Sequence, residues 1–295
     1  MQALIRPASR LQLGTLKQRK SLGFTLVEMV TVIIILGVLV LGVSGFLIFG
    51  TRIFVDATSV DQVLSQSRFA IERMTREIRN TAPNSIRVRD SGDGAWQCIE
   101  MMPIISSASY IDMPIVPASA ASSGTAMQSS ASARLDKDQF LLIYPLSPAD
   151  VYTSTTGTQG KLFSIDAVTA NATTNDLSID FGRAVRFDAA SPRQRYFGVK
   201  GAVSYCFEQV TSELSLLKRY SGYGFNHPNL QPSPADMGTG VLMAENVVNT
   251  IGRNSPIAYT PGTLRNNAMV HLNPLFDVQG QTFQYHHQVQ VINVP

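Results

Sequence analysis

The sequence predicts an α+β protein: one long N-terminal helix, membrane-spanning in its first half and amphipathic in its second, packed on a β-rich globular head. Three observations predict it. Residues 24–49 form an almost unbroken apolar run, a helical-period stripe continues from there to Asn80, and beyond Pro83 short β-type runs alternate with Gly, Ser, Asn and Pro clusters.

The apolar run holds 26 residues, 19 of them large and apolar, with Glu28 the only charge. As a helix it is about 39 Å long, against a hydrocarbon core of about 30 Å. It exceeds the h-region of about 7–15 residues in an ordinary secretory signal. The segment is therefore expected to span a membrane and to stay on the protein.

The 295 residues carry 24 Lys+Arg against 21 Asp+Glu, a formal net charge of +3. That surplus is local. Arg6, Arg10, Lys17, Arg19 and Lys20 lie in the first 23 residues with no acidic residue among them, which leaves 19 basic against 21 acidic residues from Phe24 onward. Bulk charge thus gives no support to nucleic-acid binding. Positive charge before the span keeps the N-terminus in the cytoplasm and sends the rest across.

After Gly50, Val60, Leu64, Ile71, Met74 and Ile78 recur at near-3.6 spacing, with Ser67 in the polar slot. Glu72 and Arg76 form an i, i+4 pair in the favourable order. Pro83 stops the helix after Asn80. Gly37, Gly42 and Gly45 either weaken the helix or permit close packing; the sequence leaves both readings open.

In the head, strands are expected at 85–88, 96–102, 139–144, 161–168, 177–181 and 282–294. A hairpin is expected from 202–208 and 213–220, with Val203, Tyr205 and Phe207 sharing a face with Leu214, Leu216 and Tyr220. The Ala/Ser-rich stretch 117–134 reads as a flexible surface insertion, and 225–237 and 252–267 read as loops.

Residues 17–30, KQRKSLGFTLVEMV, place a basic leader, Gly23, Phe24 and then Glu28 directly before the apolar helix. This order resembles the processing motif of type IV prepilins and pseudopilins. The resemblance implies a pilin-like fold and cleavage between Gly23 and Phe24 by a membrane prepilin peptidase that also N-methylates Phe24. It implies location in the bacterial inner membrane with a periplasmic head, and then in a filament. The implied partners are other major and minor pilins, met through the N-terminal helix, and an inner-membrane assembly platform. The division it suggests is a leader at 1–23, a transmembrane assembly helix at 24–50, an amphipathic helix at 51–80 and the head at 81–295.

Glu28 has its own physics. An acid inside an apolar span costs roughly 2.5–3.5 kcal/mol on insertion scales and needs a partner or a proton. Cleavage would supply a free amine at Phe24, one turn away, and the resemblance favours the amine of a neighbouring subunit. The phrases VSYCFE (203–208), LLKRYSGY (216–223) and HQVQVINVP (287–295) resemble the J-type minor pilins and pseudopilins. Within them, these phrases resemble the minor-pilin group of the mannose-sensitive haemagglutinin (MSHA) pilus, with J-like pseudopilins of type II secretion as the alternative. A head acting as a tip adhesin is a further reading.

Other constellations read weakly. Cys98 and Cys206 lie in a compartment that oxidises thiols, so a disulfide is expected, with two reduced cysteines as the alternative. By alternation Cys206 shares a face with Ser204 and Glu208, which does not mark it as a core thiol. His227, His271, His286 and His287 lack neighbours at ligand spacing, so no metal is expected. Arg183, Arg186, Arg193, Arg195 and Lys200, interleaved with Phe181, Phe187, Tyr196 and Phe197, read as a solvated strand edge rather than a nucleic-acid surface. No catalytic motif or cofactor-binding loop is present, so no catalytic residue and no cofactor are expected.

Overall fold

Helix α1, Leu26–Arg79, runs without a break through all four glycines of its first half, Gly37, Gly42, Gly45 and Gly50. The computed structural model describes residues 23–130, 134–171, 173–263 and 266–291. The leader readings on 1–22 lie outside the described residues, as do 131–133, 264–265 and the last residues of the strand expected at 282–294. The chain divides between Val55 and Asp56 into two units.

In the first unit every described side chain is exposed, and the apolar stretch of α1 is long and apolar enough to cross a membrane. Leu26, Phe46 and Leu41 are among the most exposed of its large side chains. A helix that is hydrophobic all round needs lipid or other helices around it.

In the second unit the remainder of α1 becomes one-sided. Ser67, Ala70, Ile71, Met74, Thr75 and Ile78 are buried, whereas Arg68, Glu72, Arg76 and Arg79 are exposed. Burying a side chain such as Ile71, Met74 or Ile78 stabilises by roughly 1.5–3 kcal/mol. Ser67 satisfies its buried hydroxyl on the Leu64 carbonyl (2.9 Å) and the Tyr285 hydroxyl (3.1 Å).

Strands follow the helix in the order β1 (Arg87–Asp90), β2 (Trp96–Met101), β3 (Ser106–Asp112), β4 (Ala121–Met127) and β5 (Phe140–Leu142). Then come β6 (Gln159–Gly160), β7 (Leu162–Ser164), β8 (Ala167–Asn171), β9 (Asp176–Phe187), β10 (Arg195–Val199), β11 (Val203–Thr211) and β12 (Leu214–Ser221). The last are β13 (Val241–Val247), β14 (Ile257–Thr260), β15 (Ala268–Leu272), β16 (Leu275–Val278), β17 (Gln281–Gln284) and β18 (His287–Val291). One sheet has the order β1-β2-β11-β12-β13-β16-β17, and a second has β6-β9-β4-β3-β10-β5-β7 with β8 also on β9. A third has β14-β15-β18.

The helix stripe shares one core with the first and third sheets. Ala70, Ile71, Met74 and Ile78 pack with Ile99, Tyr205, Phe207 and Leu217 of the one and with Val270, Leu272, Val289 and Val291 of the other. The second sheet has its own core, where Phe163, Phe181 and Phe187 meet edge to face at centroid distances of 5.0–6.5 Å.

Several expectations change. The stretch 117–134, expected as a flexible insertion, contains β4, paired to β3 on one side and β9 on the other. Its small residues have a packing reason: a Cβ on Gly124 would lie 2.3 Å from Met113 Sδ. In the hairpin, Phe207 pairs with Leu217 and Tyr205 with Arg219, so Leu217 joins the core in place of Leu216. A bulge between Gln209 and Thr211 and a tight turn at Ser212 and Glu213 displace the register by one residue, which exchanges the faces. The loop expected at 252–267 contributes β14, and the strands expected at 161–168 and 282–294 each break into two.

Candidate processing and assembly site

Gly23, Phe24 and Thr25 precede the helix, and all three are exposed. A Cβ placed on Gly23 would meet no atom within 4 Å, so the backbone on either side of the Gly23-Phe24 bond is open to approach. Phe24 is 76% exposed.

Thr25 and Glu28 close the helix start on themselves. The Thr25 backbone N–H and hydroxyl each donate to Glu28 Oε2 at 3.3 Å, and the Glu28 N–H donates to Thr25 Oγ1 at 3.3 Å. This is the reciprocal Thr-x-x-Glu capping box, which satisfies two N–H groups that a helix start leaves without partners. Its signal in the sequence is the Thr25-Leu-Val-Glu28 spacing, which the charge of Glu28 overshadows. Within one chain, then, the acid is a helix cap one turn from the residue expected to become the amino terminus.

The second half of α1 is fixed to the head by charge as well as by burial. Arg219 on β12 donates to both carboxylate oxygens of Glu77 at 3.2 and 3.1 Å, and Arg73 reaches the same carboxylate at 3.4 Å. Burial, and then the Glu77 charge, push the neighbouring Tyr205 phenol well above its ordinary pKa.

Cys98 and Cys206 are direct partners across β2 and β11 and are joined by a disulfide with an S–S distance of 2.06 Å. Both are fully buried, packed with Tyr220 and Met237. The alternation placed Cys206 on the correct face but did not show that this face is covered as well. The cover is the segment between β12 and β13. Arg87 pairs with fully buried Glu100 and donates to the His227 carbonyl (2.7 Å), while Arg89 donates to the Gln231 carbonyl (2.5 Å). Tyr223 donates to Glu100 at 2.9 Å and shares a hydrogen bond with Ser204 at 2.7 Å. The Arg87 guanidinium also lies 3.9 Å from the Tyr152 ring centre.

The remaining candidates do not converge. Among the described residues no three His, Cys, Asp or Glu side chains form a metal-binding group. Phe181, Phe187, Tyr196 and Phe197 are buried, so they offer no stacking platform. Arg183 is committed to the carbonyls of Gly157 and Thr155 at 2.6 Å each, and Arg186 to the Gln159 side chain.

The family model for the prokaryotic N-terminal methylation motif matches residues 18–44. No curated protein and no solved structure matches the chain. The matched stretch runs from the leader through Gly23, Phe24 and Glu28 into the apolar helix. Motif and helix together support a type IV pilin-like protein whose N-terminal helix is long and apolar enough to cross a membrane.

Proposed function

We propose, starting from that prepilin-type N-terminus, that the chain is a minor subunit of a type IV pilus-like filament. The observation that carries the reading is the methylation motif set against a helix whose first half is apolar on every side. In this reading a prepilin peptidase cuts between Gly23 and Phe24 and methylates the new terminus. Residues 24–50 then stay in the inner membrane, and 51–80 belong with a periplasmic head. Cleavage releases an amine beside the capping box, and Glu28 exchanges its contact with Thr25 for the amine of a neighbouring subunit. Mass spectrometry of the mature protein tests this: the expected start is methylated Phe24, and any other start overturns it.

Within that class we place the chain among J-type minor pilins of an MSHA-type pilus, at the tip or in the initiating complex. The support is the likeness of the β11–β12 phrases. Immunogold labelling of sheared filaments is expected to find the head at filament ends. Labelling absent from surface pili but dependent on a secretion system would instead make the chain a J-like pseudopilin.

A further inference from the structure

The exposed flank of α1 and the segment Tyr285–His287 border a groove of about 810 Å³. Arg68, Arg76 and Arg79 stand along its helical wall, with Glu72 the only acid among them. The next carboxylate on the helix, Glu77, lies on the opposite flank and is taken by Arg73 and Arg219. From Arg68 to Arg79 the helix rises about 16 Å, the length of about five residues of extended chain. Positive charge spread over that distance fits an extended anion better than a compact one.

The other wall leads onto a sheet edge. Among the described residues β18 pairs on one side only, with β15, in unbroken register from Ala268↔Val291 to Leu272↔His287. The far edge of this sheet, β14, lies against β1 and β2, so among the described residues β18 is the edge left without a strand partner. His-Gln-Val-Gln-Val contains no Lys, Pro or bulge, the devices that ordinarily block strand addition. Two polar atoms lining the groove, Thr75 Oγ1 and His287 Nε2, are buried without hydrogen-bond partners among the described residues.

We propose that this groove is a strand-addition site. An extended acidic segment of a partner protein pairs its backbone with β18 and sets its carboxylates against Arg68, Arg76 and Arg79. Main-chain hydrogen bonds supply affinity and the arginines supply charge selectivity. The inference does not depend on the filament reading.

The test uses the full chain in detergent micelles and fluorescein-labelled eight-residue peptides read by anisotropy. An alternating Thr/Glu peptide is expected to bind at least about tenfold more tightly than its Thr/Lys counterpart. It is expected to lose about tenfold or more with the Arg76→Glu/Arg79→Glu double variant, and also when alternate backbone nitrogens of the peptide are methylated. Failure of the acidic peptide to bind overturns the proposal. Equal binding of the N-methylated peptide to the unaltered protein also overturns it, because the arginines would then be holding an anion without strand addition. A peptide-free dimer, seen by sedimentation and dispersed by the double variant, would assign the groove to a second copy and likewise overturn it.

Discussion

Arg219 on β12 and Glu77 on α1 meet with both carboxylate oxygens within 3.2 Å of the same guanidinium nitrogen. Both side chains are mostly buried, at 17% and 19% exposure, so solvent screens the pair only weakly. Glu77→Ala is expected to cost the head about 1.5–3 kcal/mol, the range for hydrogen bonds to charged groups. Urea unfolding measures it. A double-mutant cycle with Arg219→Ala should return a coupling well above that of an exposed surface pair, and a coupling near zero would make the contact incidental.

The Cys98–Cys206 disulfide closes a separation of 108 residues. Replacing both cysteines by alanine, or adding reductant, is expected to destabilise the head by about 2–5 kcal/mol. The readout is the shift in unfolding midpoint, checked against electrophoretic mobility without reductant. An unchanged midpoint would mean that the two strands need no covalent tie.

Thr25 and Glu28 separate two roles that one substitution would confound. Thr25→Val removes the cap and is expected to cost about 1 kcal/mol at the helix start while leaving the Glu28 carboxyl in place. Glu28→Gln is expected to leave cleavage at Gly23 intact and to reduce incorporation into filaments. If Thr25→Val abolished incorporation as fully as Glu28→Gln, capping rather than intersubunit pairing would be the function of the acid.

Alkaline pH should expose the buried tyrosines. Burial, and then the Glu100 charge, hold the Tyr223 phenol above its ordinary value of 10.0, and burial and Glu77 do the same for Tyr205. With the folded pKa raised, the stabilisation is complete below pH 10 and is lost as pH climbs from there toward the folded values. Unfolding midpoints should therefore stay level up to about pH 9.5 and then decline. Tyr223→Phe should lower stability at neutral pH, because Ser204 and Glu100 lose a partner, and should make the alkaline decline shallower. An unchanged slope would show that Tyr223 does not contribute to it.

The helix was legible in the sequence because both of its halves announce themselves, one by an unbroken apolar run and the other by a 3.6-residue stripe. Residues 96–102 and 177–181 were legible as strands for the same reason, since they carry β-branched or large apolar side chains. Strands β3 and β4 were not. Their sequences, SSASYID and ASSGTAM, have strand character only because β9 and β10 flank them, and Gly124 is small because Met113 occupies its space. The hairpin parity failed on one bulge, which no local pattern marks. At the candidate site, Gly23, Phe24 and Glu28 stand out as residues and the Thr-x-x-Glu spacing is legible too, while the 3.3 Å contacts that close the cap belong to the structure.

Strand β11 has a helix-facing side, Val203, Tyr205 and Phe207, and a second side, Ser204 and Cys206, roofed by the segment that Arg87 and Arg89 hold down. With β2 and β12 along its two edges, all five residues are buried. Their amide protons should be the slowest in the head to trade for deuterium and should do so only when the whole head opens, so the exchange rate at Tyr205 to Phe207 serves as a gauge of its global stability.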